Sequence, residues 1–71
     1  MKFHYYHDTD SLYIELSPKA SVDSNDVAPG VVLDFDPMGH LVGIDVEHAS
    51  QNVDLTRLET EALPLGSMIV A

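Results

Sequence analysis

The chain has no cysteine and no tryptophan, and only three of its 71 residues are lysine or arginine. Without cysteine, disulfide bridges and thiolate metal sites are both excluded. Twelve acids against three bases leave a formal charge of −9. That field repels phosphate backbones and anionic lipid heads, so neither direct nucleic-acid binding nor membrane binding is expected. No apolar run approaches spanning length, and no basic-then-apolar leader opens the sequence, so a cytoplasmic protein is expected. There is no glycine-rich phosphate loop and no G-x-S-x-G elbow. None of the histidines His4, His7, His40 and His48 forms an i, i+4 pair on a helix. No cofactor is expected.

What is present is a small β pattern. The chain allows one domain, 1–71, and a domain of this length buries only about 60% of its unfolded surface. With no disulfide to help, it is expected to rely on self-association, a partner chain or a well-packed β core. A hydrophobic fraction of 45% argues for folding rather than disorder.

Two Val- and Ile-rich runs, Val31 to Asp36 and Leu41 to Glu47, flank the tetrapeptide Asp36-Pro-Met-Gly39. Pro37 presets φ for the first central turn position, and Gly39 supplies the positive φ that closes a short hairpin loop with a bulge. Gly43, midway along the return run, marks a bulge or a close approach by another group. Upstream, Phe3 and Tyr5 share a face of an extended segment. Asp8-Thr-Asp-Ser11 suits a turn, and Leu12, Ile14 and Leu16 alternate with Tyr13 and Glu15. Pro18 ends that run.

The spacing therefore predicts a hairpin at 2–16, a connection at 17–30 in which Ala20 to Val22 could pair briefly, a hairpin at 31–47 and a C-terminal segment at 48–71. His48 to Asn52 could form one helical turn. Residues 54–63 fit a strand by alternation and a helix by the Thr56…Glu59 capping box. The apolar end, Met68-Ile-Val70, is expected to add a strand and to serve as an oligomer interface. The fold class expected is mainly β or small α+β: an antiparallel sheet of two consecutive hairpins, a short helical turn and a C-terminal strand. Its core is expected to draw on Phe3, Tyr5, Leu12, Ile14, Leu16, Leu33, Phe35, Val42, Ile44 and Val46.

The segments Tyr5-Tyr-His-Asp8-Thr-Asp10-Ser-Leu-Tyr-Ile-Glu-Leu16 and Gly30 to Ser50 together resemble the domain of unknown function 2283 family of small prokaryotic proteins. The family pattern is a tyrosine, an aspartate-containing turn and Leu-Tyr-Ile, then Gly-Val with an acidic strand, and Gly-Ile-Glu leading to Ala-Ser. The resemblance implies a small β-rich or α+β fold and brings no established catalytic residues. The resemblance also implies a gene neighbourhood shared with small toxin-like proteins, and with it a neutralising role toward a basic partner protein.

The residues themselves offer three candidate constellations. His7, Asp8 and Asp10 could hold a divalent cation, although the loop lacks the oxygens and glycine of a calcium loop; solvated turn carboxylates are the plainer account. Asp34 and Asp45 point away from the apolar sets of their strands, with Asp36 and Glu47 continuing their rows. Such carboxylates could share a proton for acid–base work, or form a wet acidic face for positive charge. His48, beside Asp45 and Glu47, is the histidine placed to titrate. The function expected is a non-enzymatic acidic protein-interaction or self-assembling module, a homodimer or larger. The alternative is a small metal-binding or acid/base site on the acidic turns.

Overall fold

The computed structural model describes all 71 residues. The alternating runs become strands: β1 (Lys2–Tyr6) and β2 (Ser11–Glu15) form the first hairpin, and β4 (Val31–Phe35) and β5 (Leu41–Val46) the second. A further strand, β3 (Asp23–Ala28), lies in the stretch expected to be a connection, and it pairs antiparallel with β4. The result is one five-stranded antiparallel sheet in the order β1-β2-β5-β4-β3. The two hairpins join through β2 and β5, with Leu12 opposite Val46 and Ile14 opposite Ile44. No helix is long and apolar enough to cross a membrane.

The central turn forms for the reasons its residues give. Gly39 donates its N–H to the Asp36 carbonyl at 3.0 Å, and Gly39 has φ of 83°. The register of β4 and β5 shifts just before that turn, between Asp34 and Phe35. Past β5 a single helical turn, α1 (Ala49–Asn52), follows His48, which takes a left-handed conformation with φ of 51°.

The C-terminal segment departs from expectation. Met68, Ile69 and Val70 form no strand, and residues 54–63 are neither strand nor α-helix. Thr56 does not open a capping box; its N–H and hydroxyl both turn back to the Asp54 carboxylate. Val53–Leu58 instead runs past Phe3, Tyr5 and Leu12, leaving a cleft of about 490 Å³ between them.

Register assigns two faces to the sheet. One carries Phe3, Ile14, Ile44 and Leu33 in one row and Tyr5, Leu12, Val46 and Val31 in the next. The other carries Lys2, Glu15, Gly43, Asp34 and Ser24, then His4, Tyr13, Asp45, Val32 and Asp26. The first is apolar, yet it is not sealed. Of the residues expected in the core, only Val42 (2% exposed) and Val46 are buried, joined by Ala49 from the helical turn. Phe3 and Tyr5 remain 44% and 38% exposed, because β1 is an edge strand covered only by the passing tail. β2 and β4 each have a strand on either side, yet none of their residues is buried.

Candidate functional site

Glycine at position 43 is what organises the polar face. A Cβ there would fall within 2.6 Å of the Tyr13 ring carbon Cζ, and closer still to its hydroxyl oxygen. The bare backbone of β5 lets the Tyr13 ring cross from β2 toward β4 and donate its hydroxyl to Asp34 Oδ2 at 2.9 Å. From the far side, Ser24 of β3 donates its hydroxyl to Asp34 Oδ1 at 2.7 Å. Tyr13, Asp34 and Ser24 thus form a hydrogen-bonded line across four strands. Burial, the hydrogen bond to Asp34 and the charges of Asp34, Glu15 and Asp45 push the Tyr13 phenol up to about 12, so it remains a donor at any physiological pH. Gly43 signalled this close approach in the sequence; its partner Tyr13 did not.

Asp45 stands beside that line without a hydrogen-bond or ion-pair partner. Burial first, and then the charges of Glu47 and Asp34, raise its carboxyl above the ordinary carboxylate range. A folded-state value above the unfolded one means that ionisation costs stability, and the cost appears as pH rises through the carboxylate range. Asp45→Asn is therefore expected to raise the melting temperature at neutral pH by a few degrees. The gain should vanish in acid, where both forms are neutral; thermal unfolding monitored by circular dichroism across the pH range checks it.

Asp10 and Asp36 have structural work instead. Asp10, at φ of 52°, accepts the Tyr5 hydroxyl at 2.7 Å and the Ser50 N–H at 3.0 Å on Oδ1, and the Ser50 hydroxyl at 2.6 Å on Oδ2. Its backbone carbonyl accepts the Ala49 N–H at 2.8 Å. The first turn is thereby tied to the helical turn 40 residues on. The hydrogen bonds from Ser50 and then Tyr5, with a contribution from nearby His48, hold the Asp10 carboxyl below its usual range. Asp36 does not continue an outward acidic row: it is 4% exposed, and its Oδ1 accepts the N–H groups of Met38 and His40 at 2.9 and 2.8 Å. The His40 backbone hydrogen bond is the leading cause that keeps its carboxyl low.

A depressed carboxyl stabilises the fold above its unfolded value and loses that contribution as pH falls through the folded one. Asp10→Asn keeps a residue tolerant of the left-handed conformation but surrenders the charge. It is expected to lower the melting temperature by several degrees at neutral pH and to converge with the native chain in acid. Faster hydrogen exchange at the Ser50 amide is the local readout.

The remaining candidates are scattered. His7, Asp8, Glu47 and His48 are exposed; His7 lies 6.2 Å edge-on from the Tyr5 ring, and the His48 carbonyl receives the Gln51 N–H. No three histidine or carboxylate side chains gather closely enough to hold a metal ion. The candidate trio of His7, Asp8 and Asp10 does not gather as a ligand set, because Asp10 is occupied by Tyr5 and Ser50. Met68, Ile69 and Val70 are all strongly exposed, Ile69 at 87%.

What the sheet does assemble is a shallow cleft of about 360 Å³ on the polar face, lined by Tyr6, Thr9, Ser11, Tyr13 and Asp45. Ser11, directly opposite Tyr6 in the β1–β2 register, is the small side chain that leaves a gap between larger ones. His4, two residues earlier on the same face of β1, packs at a tilt of 53° against Tyr6, with ring centroids 4.3 Å apart.

No curated protein and no solved structure matches the chain. A family model described as a protein of unknown function (DUF2283) matches residues 2–50. That span holds all five strands, the Tyr13–Gly43–Asp34 crossing and the Asp10–Ser50 tie. The chain belongs to the DUF2283 family.

Proposed function

We propose that this chain is a non-enzymatic, self-assembling acidic module. A second copy covers its apolar face, and its polar face turns outward toward a basic protein partner in the cytoplasm. The observation that carries the reading is the unsealed apolar face, where two internal strands, β2 and β4, bury no residue. The accessible surface is 5710 Å², against about 4,400 Å² for a folded monomer of this mass. The excess of roughly 1,300 Å², to which the exposed segment 53–71 also contributes, exceeds the ~800 Å² that each partner contributes to an interface of standard size. The radius of gyration, 12.9 Å, likewise exceeds the ~11 Å of a compact chain of this length.

A second copy is the occupant that suits a face on which Phe3 is exposed and Leu12, Ile14, Leu33 and Ile44 are only half-buried in a continuous pair of rows, since two such faces pack as the halves of a β-sandwich. The exposed Met68, Ile69 and Val70 extend the same association. Packing the apolar faces together leaves the Asp34, Asp45 and Glu15 face in water, where its charge meets a basic surface without desolvating a core. Analytical ultracentrifugation of the full chain, alone and with a small, strongly basic protein as probe, tests both halves. A dimer that takes up the basic protein in a salt-sensitive complex is the expected result.

A further inference from the structure

We propose that the cleft between Tyr6 and Tyr13 is a binding site for a guanidinium group, an arginine side chain presented by the basic partner. The inference rests on the partner half of the proposed function and names the chemistry by which that partner is recognised. Two tyrosine rings line the cleft together with the Asp45 carboxylate, and Ser11 and Thr9 add oxygens to its lining. A planar cation stacks on aromatic faces and offers five N–H donors in a fixed fork. A carboxylate takes two of them side by side, and neighbouring hydroxyl and carbonyl oxygens accept others.

Both rings are held for the task. Tyr13 is pinned through its hydroxyl to Asp34, and Tyr6 is backed by His4 at 4.3 Å. Asp45 is the one carboxylate of the cleft, and no cation of the chain serves it. Lys19 lies 4.0 Å from Asp36, and Arg57 lies 2.9 Å from Glu59. Lys2 stands opposite Glu15, beyond His4 along β1. A half-buried carboxylate that costs the isolated fold stability, yet borders two fixed aromatic rings, is what a site for an incoming cation requires. An alkylammonium satisfies it less well, because it has no flat face to lay against a ring and no fork to match the carboxylate.

The test is NMR titration of the full chain with the capped tripeptide Gly-Arg-Gly and its lysine and citrulline counterparts. Saturable shifts at Tyr6, Ser11, Tyr13 and Asp45 with the arginine peptide are expected, with citrulline at least about tenfold weaker for want of charge. Asp45→Asn should weaken the arginine peptide about tenfold while melting no lower than the native chain, so unfolding does not explain the loss. Glu61→Gln, an equal change in net charge on the exposed tail, should leave affinity unchanged. Equal affinity for arginine and citrulline, equal loss in both variants, or shifts spread over all acidic residues would overturn the site. A lysine octapeptide separates this site from the broader function. If it binds and the arginine tripeptide does not, the cleft fails and the acidic-face function stands; if neither binds, both fail.

Discussion

Gly43→Ala is expected to destabilise the fold by about 2 kcal/mol, lowering the melting temperature by roughly 8–16 °C for a domain this small. The new methyl group would occupy the space of the Tyr13 hydroxyl and of Cζ behind it. The ring must swing away, breaking the hydrogen bond to Asp34 and leaving Ser24 as that carboxylate's sole donor. Removing the hydroxyl alone would bring no relief, since Cζ itself is 2.6 Å from the added carbon. Removing the whole ring would. In a Tyr13→Ala background the same Gly43→Ala change should be neutral or slightly stabilising, because alanine restricts the unfolded chain more than glycine does. The four-variant cycle, measured by thermal or urea unfolding, should return a coupling of about 2 kcal/mol. Additive effects would mean that the ring does not lie over β5.

Leu33→Asp is expected to abolish assembly, weakening self-association by about 100-fold or more. Leu33 sits mid-sheet on the apolar face, opposite Ile44 on β5 and Asn25 on β3. A carboxylate there keeps part of its hydration in the monomer, where Leu33 is half-buried, and loses the rest when two faces meet. The native chain should melt at higher temperature as its concentration rises, because association stabilises the folded form by mass action, and Leu33→Asp should melt independently of concentration. Ile69→Asp separates interface from fold. At 87% exposure Ile69 has almost no packing to lose within its own chain, so weaker association of this variant reports the interface alone. About tenfold is expected for a residue at the rim.

The legible parts of this fold are the local ones. Pro37 and Gly39 dictate the central turn whatever surrounds them, and the alternation of Leu12 and Ile14 with Tyr13 reports a strand with two unlike faces. β3 escaped because Asp23-Ser-Asn-Asp26 has none of the residue types that favour strands. As an edge strand facing water, it needs only backbone pairing to β4 and the Ser24–Asp34 hydrogen bond. The opposite holds at Met68-Ile-Val70, whose composition favours a strand but which pairs with neither edge of the sheet, β1 or β3. In the sequence Asp10 has the look of a candidate ligand because its neighbours are His7 and Asp8. Its actual partner, Ser50, is remote in the chain, and no local spacing encodes it. The aspartate turn and the Ala-Ser pair did stand out together in the family pattern, and the hydrogen bonds between them explain why they belong together. The cleft escaped for a similar reason: Tyr6 and Asp45 meet only through the strand register.

Everything proposed for the apolar side depends on a second copy being there. Interfaces of the size left open here span micromolar to picomolar affinity, so sedimentation equilibrium of the full chain from about 1 to 100 µM covers the range that matters. A mass of twice the 7.8 kDa chain or a larger multiple is expected through most of that range. A single 7.8 kDa species at every concentration, melting at one temperature throughout, would contradict it.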